Sequence, residues 1–285
     1  MRILLTGANG MLGSAITSVG HKKGFVCDPL LRDRIDNRRF SELVDVLSQY
    51  DAIIHAAANT NVEACEETPS VCYRDNTFMT ETLARAAHDA GIRFIFISST
   101  GVYGQHSDKP YHEYDQTIPT THYHRSKLLG EEAASRSTKS LIVRTGWLFG
   151  GDPANPKNFV ARRMEEAARC KTEMFSNETQ MGCPTYADDV AGRIFDLICA
   201  GCCGVYNCVN SGVASRYDYV SEIIRLSGFD ISLKPAPAAT FPRKASVSNN
   251  EMAVNLKQEL DGMAAMRTWR DALKEYISVY MSAES

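Results

Sequence analysis

Tyr123 and Lys127 stand four residues apart in the run YHRSK, a separation that sets two side chains on one face of a helix. A phenol beside an ammonium suits the reduction of a carbonyl. Hydride arriving at the carbonyl carbon leaves an oxyanion, which needs a nearby proton donor and a fixed hydrogen bond. Tyrosine supplies the proton, and because a free phenol titrates near ~10, the lysine charge is expected to lower that value toward neutral pH. Ser98, Ser99 and Thr100 close an apolar run about two dozen residues earlier and add hydroxyls at its end. A tyrosine and lysine at this spacing also occur on many solvated helix faces, so the pair takes its meaning from what accompanies it.

Gly7, Gly10 and Gly13 form a G-x-x-G-x-x-G turn directly behind the apolar run 2–6. Missing β-carbons let the backbone approach a pyrophosphate, and the helix that follows aims its amides and the positive end of its dipole at that charge. Residues 24–27 read as a second strand that delivers Asp28 fifteen residues beyond Gly13, where an acid can hold the adenosine ribose of NADH. Arg32, Arg34, Arg38 and Arg39 follow, and an arginine can grip the 2′-phosphate of NADPH with two hydrogen bonds. Both cofactors are therefore expected to work, with NADPH preferred and Arg34 on the phosphate.

These groups need a scaffold. Short apolar runs at 2–6, 24–27, 52–55, 93–98 and 141–144 alternate with helical spacing at 11–19, 39–49, 75–90 and 123–135. The alternation predicts an α/β protein with a Rossmann-type doubly wound parallel sheet, whose ligands sit beyond the carboxyl ends of the strands. After Gly150 the regularity fades into a Pro- and Asn-rich loop, a helix near 159–170 and shorter elements reaching Ser285. The expected division is a dinucleotide-binding core over 1–150 and a smaller C-terminal substrate-binding lobe over 151–285, with some elements returning to the core.

The 285 residues, 44% hydrophobic and 23% charged, exclude collagen, coiled coil and extensive disorder. A net charge of -3 leaves no basic field for nucleic acid. No apolar run is long enough for a membrane span, and MRILLTGANG turns polar too early for a signal peptide, so the cytoplasm is the expected location. Nine scattered cysteines read as reduced thiols. Cys199, Cys202, Cys203 and Cys208 lack a second CxxC and a neighbouring histidine, and no metal is expected. His106, His112, His122 and His124 crowd the region around Tyr123 without the spacing of a metal site and read as surface or substrate-loop residues. No G-x-S-x-G elbow or Walker sequence points to a hydrolase or NTPase.

In LLTGANGMLG, HAAANTNVEACEETP, the helix carrying Asn76, ISSTGVYG, YHRSKLLGE, IVRTGWLFG, GCPTYADDVA and GVYNCVNSGVASRYDYV, nearly the whole chain resembles the extended short-chain dehydrogenase/reductases. Among these it is most similar to the dTDP-4-dehydrorhamnose reductase family. The resemblance implies an NAD(P)H-dependent reductase of a nucleotide-linked 4-keto-6-deoxy sugar. It implies cofactor contacts from Gly10, Met11, Leu12, Asp28, Arg34, Ile35, Ala58 and Asn59, catalytic roles for Ser99, Tyr123 and Lys127, and a sugar pocket lined by Thr60, Val62, Ser99, Thr100 and Trp147. Trp147 follows a strand end, where its face is expected to stack on the sugar. Two departures stand out: Gly101 and Val102 replace a usual Tyr-Val pair, and the basic, proline-rich stretch near residue 243 is shortened to FPRKASVSNN. A nucleotide-sugar epimerase or dehydratase keeping NAD bound, and a non-catalytic dinucleotide-binding subunit, are the alternatives. The expected partners are a nucleotide-sugar substrate and, for assembly, at most a second copy of the chain.

Overall fold

Nearly continuous burial along each central strand shows why this chain stacks into three layers: both faces of the sheet are covered. Ile3, Leu5, Ile54, Ile95, Ile97, Leu141 and Val143 point to one face, where they meet Leu12 and Ile16 of the Met11–Lys22 helix and Val190, Ile194 and Phe195 of the Ala187–Cys199 helix. Leu4, Ile53, Phe94, Phe96 and Ile142 point to the other face, against Leu43 and Leu47 of the Phe40–Leu47 helix and Leu83 of the Met79–Asp89 helix. The two-residue period of a strand divides its side chains between two helical layers. The computed structural model describes residues 1–36, 38–170 and 172–283. Ser285, the expected end of the lobe, lies outside them.

Across the parallel sheet the strands run Val26–Leu30, Arg2–Thr6, Ala52–His55, Arg93–Ser99, Ser140–Thr145 and Gly204–Asn207. The chain steps outward from the first strand to the second, then returns to lay the third along the first strand's other side. That reversal opens a crevice beyond Thr6 and His55, which are paired at the carboxyl ends of adjacent strands. The sixth strand and the Ala187–Cys199 helix come from the C-terminal half and complete the core. A separate cluster built on Phe149, Val160, Tyr219, Trp269 and Leu273 holds the lobe together. No helix among the described residues is long and apolar enough to cross a membrane.

Two elements differ from the sequence reading. The second strand continues through Pro29 to Leu30, because on a sheet edge the missing proline N–H leaves no ladder bond unmade. The expected helix over 75–90 is a π-helical turn, Arg74–Phe78, leading into the α-helix Met79–Asp89. The widened turn seats Asn76, which is completely buried.

Candidate active site

The glycine turn works by close approach. Gly7 adopts φ 72°, and a Cβ there would lie 2.7 Å from the backbone nitrogen of Ala57. A Cβ on Gly13 would lie 2.0 Å from Gly7 O. These glycines bring the turn, the third strand and the first helix into contact. Gly10 heads the Met11–Lys22 helix without a side-chain cap, so the first amides remain open to an anion. Around the turn lies a cleft of about 310 Å³ lined by Gly7, Gly10, Leu30, Arg32, Ile35, His55, Ala58, Asn59 and Asp75.

A buried polar network fixes the far wall. Asn76 Oδ1 accepts from Asn59 N at 2.7 Å, and Asn76 Nδ2 donates to Asn59 O at 3.1 Å and to Ser126 Oγ at 2.9 Å. One amide therefore clamps the loop after the third strand to the helix that carries Tyr123. Thr80 Oγ1 donates to Asn76 O at 2.5 Å, leaving its lone pairs for His55 Nε2 at 3.1 Å. His55 Nδ1 then accepts from Thr6 Oγ1 at 2.7 Å. Burial, helped by the Lys127 charge, holds His55 down to about 3, so this imidazole stays neutral at physiological pH.

Tyr123 and Lys127 lie on the His122–Ser135 helix, whose N-cap Thr121 accepts from His124 N at 3.2 Å. Lys127 is 3% exposed, with its ammonium 4.1 Å from the centre of the Phe96 ring. Burial pulls it down to about 7, partly opposed by the Glu131 carboxylate one turn along. Glu131 is itself held by Arg144 at 2.6 and 2.9 Å and by Ser98 Oγ at 2.5 Å. Burial first, then the Glu251 charge, raises the Tyr123 phenol above its ordinary value. The expected lowering by lysine is not found: burial and nearby acidic groups all raise the phenol, and Lys127 is not among the charges that act on it. The Tyr123 hydroxyl and Lys127 Nζ form no hydrogen bond among the described residues, and Ser99 Oγ, at the strand end, accepts from Gly101 N at 3.2 Å.

Several expected site residues sit elsewhere. Asp28 is mid-strand opposite Leu4, because the strand runs on to Leu30, and its carboxylate is 3.1 Å from Arg2 Nη2. Arg34 is exposed and does not line the cleft. The neighbouring Arg32 does, held 2.7 Å from Asp75 and 3.1 Å from Asp36. The leucine side chain of Leu12 is in the core, so a contact from this residue comes from its backbone. Met11 packs toward Gly151 across the turn, and Thr100 is buried against Gly146. His124 is buried, not on a loop surface: its ring occupies the space where a Cβ on Gly101 would be, 2.1 Å from Nε2. The missing aromatic residue at Gly101 and the presence of His124 therefore go together.

Trp147 is buried at φ 48°, and its stacking surface is already used. The Arg216 guanidinium lies 3.5 Å from the ring centre, and Gly182 packs so closely that a Cβ there would fall 2.3 Å from Cε2. The indole N–H donates to Glu251 Oε2 at 2.9 Å. Arg216 continues into a cavity of about 560 Å³ lined also by Phe159, Phe175, Phe241, Arg163 and Arg243. Glu63 ties one wall down: it accepts from Arg243 Nε at 3.0 Å and from the backbone of Lys244 and Ala245 at 2.8 and 3.1 Å. Val62 opens that same helix, and Thr60 just before it accepts from Lys157 Nζ at 2.9 Å. Tyr123 and Lys127 line neither space; their helix is tied to the cleft wall by the bonds of Asn76 to Ser126 and Asn59.

Residues 1–282 match the family described as the RmlD substrate binding domain. The chain belongs to this family. The dTDP-4-dehydrorhamnose reductase of Mycobacterium tuberculosis is 32% identical over 280 residues, covering 95% of this chain and 91% of that protein. The spore coat polysaccharide biosynthesis protein SpsK of Bacillus subtilis is 29% identical and covers 99% of both. A solved family structure, a dTDP-4-dehydrorhamnose reductase of Clostridium acetobutylicum, superposes with a TM-score of 0.92 at 31% identity, covering 99% of this chain and all of that one. The dTDP-4-dehydrorhamnose reductase of Bacillus anthracis, solved with NADP, gives 0.90 at 25% identity, with 97% and 98% covered. A Thermus thermophilus UDP-glucose 4-epimerase, at 21% identity and a TM-score of 0.82, shares the fold.

Proposed function

We infer that this protein is an NADPH-dependent reductase of a nucleotide-linked 4-keto-6-deoxy sugar, acting at the C4 ketone. The observation that carries the reading is the pair Tyr123 and Lys127, one turn apart on a helix that Asn76 ties through Ser126 to Asn59 in the wall of the glycine-turn cleft. The uncapped helix amides and the close glycines suit a dinucleotide pyrophosphate. Arg163, Arg216 and Arg243 supply positive charge for a diphosphate, and Phe159, Phe175 and Phe241 supply apolar surface for a base. We assign the dinucleotide site to the core over 1–150 and the sugar nucleotide to the lobe over 151–285, and we place the enzyme in the cytoplasm, acting alone or as a homodimer.

NADPH, when bound, supplies the hydride. Tyr123 gives its phenolic proton to the carbonyl oxygen as negative charge develops there. Burial keeps that phenol protonated at neutral pH, which suits the reductive direction. Lys127, near 7, can take up and release a proton at the working pH and replenish it. Ser99 offers a hydroxyl to the same oxygen.

Incubating the protein with NADPH and a panel of 4-keto nucleotide sugars, while following nicotinamide absorbance, tests the reading. Net cofactor oxidation is expected; product formation without it would point to an epimerase or dehydratase, and binding without turnover to a regulatory subunit.

Cofactor choice gives a second expectation. Arg32 lines the cleft and also the adjoining cavity with Arg38, Arg74 and Arg85, four arginines against the three carboxylates of Asp36, Asp75 and Glu81, of which Asp75 pairs with both Arg32 and Arg74. That surplus favours a 2′-phosphate. Arg32→Ala is expected to weaken NADPH binding about 1.5 to 3 kcal/mol more than NADH binding, the value of a hydrogen bond to a charged group, whereas Arg34→Ala should change neither. Titration of both cofactors against both variants checks this; equal losses in Arg32→Ala would remove Arg32 from the phosphate.

A further inference from the structure

Arg163, Arg216 and Arg243 line the cavity of about 560 Å³, and they are not equally free. Arg163 is committed to Glu166, with Nη2 2.7 Å from the carboxylate. Arg216 lies over Trp147 and donates through Nε to Gln180 Oε1 at 3.4 Å. Arg243 is held at one point: Nε donates to Glu63 Oε1 at 3.0 Å, while Nη1 and Nη2 bond to nothing among the described residues. A guanidinium fixed in this way still presents two parallel donors, the pair that matches a phosphate. Glu63 also fixes the chain that carries this arginine. Residues 241–249 form no helix or strand, and Glu63 Oε2 accepts from Lys244 N and Ala245 N at 2.8 and 3.1 Å, bonds that a ladder would otherwise supply. One turn along, Glu67 accepts from Lys244 Nζ. The anchor itself is firm, because Asn61 caps the Val62–Glu67 helix by accepting from Ala64 N at 3.1 Å.

We propose that Glu63 is a positioning residue for the sugar nucleotide: it aims Arg243 so that Nη1 and Nη2 grip the diphosphate, and nucleotide affinity depends on that aim. The proposal rests on the reading of this cavity as the sugar-nucleotide site. Arg243 and Ala245 line the cavity and Glu63 does not, so an effect of Glu63 on a ligand passes through the segment it holds. The side chains of Glu63 and Arg243 are 37% and 42% exposed, and an ion pair that open to water adds little to folding. What the pair removes is freedom. A long side chain on an irregular segment is already ordered before the ligand arrives, and the entropy otherwise lost on binding is spared.

The test is a calorimetric titration of dTDP and UDP, nucleoside diphosphates without the sugar, into wild type, the tighter of the two then serving for Glu63→Ala, Arg243→Ala and the double variant. Arg243→Ala is expected to weaken binding about 10- to 100-fold, as for a hydrogen bond to a charged group. Glu63→Ala should weaken it about 3- to 10-fold, as for a long side chain left for the ligand to order. In the double variant the loss should match that of Arg243→Ala alone, because Glu63 then has nothing to aim. Melting temperature and NADPH affinity are expected to stay at wild-type values in all three. Losses that multiply in the double variant would make Glu63 a support for the cavity wall at large and overturn the proposal, as would full affinity in either single variant. Failure of both nucleotides to bind wild type would overturn the reading of the cavity itself, which the first titration shows separately.

Discussion

Tyr123→Phe is expected to lower turnover by about two to four decades, the range for losing a positioned general acid, while leaving folding and NADPH affinity intact. The hydroxyl bonds to no described residue, so its removal orphans no partner inside the protein. The ring stays beside His124, at a centroid separation of 5.0 Å. Single-turnover cofactor oxidation at saturating NADPH isolates the chemical step. A variant that turns over near the wild-type rate would move the proton donor to another residue.

Lys127→Met should reduce turnover by about two decades or more and, unlike the tyrosine variant, also change stability. In the unfolded chain the lysine titrates at its ordinary 10.5; in the folded protein burial brings it to about 7. Between those values the unfolded chain holds a proton that the folded protein has released. Wild-type stability therefore rises with pH across this window, by up to about 1.4 kcal/mol per pH unit from this group, and the full cost of the buried charge remains below pH 7. Methionine fills a similar volume against Phe96 without that charge. The variant should melt above wild type below pH 7, with the gap closing toward pH 10.5. Melting curves that stay parallel over this range would show that Lys127 keeps its ordinary pKa.

The parallel sheet was legible because its signal is local: an apolar run, a turn and a helical spacing repeat along the chain. The glycine turn and the Tyr123/Lys127 pair were legible for the same reason, each being a short spacing with one geometric meaning. The place of Asp28 was not legible: the apolar run stops at Cys27, and only the sheet order shows that the strand continues past Pro29 as an edge, where proline is tolerated. Arg32 and Arg34 differ by two residues on a short helix, so the side that faces the cleft depends on a helix start no motif marks. Glu251, His124 and Asn76 act through partners 104, 23 and 17 residues away: Trp147, Gly101 and Asn59. Spacing along the chain carries no trace of such pairings.

The sixth strand bears on how the protein is made. Gly204–Asn207 covers the edge of Ser140–Thr145, and the Ala187–Cys199 helix covers one face of the sheet. While the ribosome is still adding the third hundred residues, the nascent sheet has an unpaired, apolar border and half of one side bare. Such an intermediate is a template for pairing with a neighbouring chain. A fragment ending at Gly150 would hold the complete glycine turn together with Tyr123 and Lys127 and still be expected to aggregate. Completing the molecule requires late residues to reach back across the earliest ones, so an expression truncation intended to isolate the nucleotide-binding half should retain the chain through Asn207.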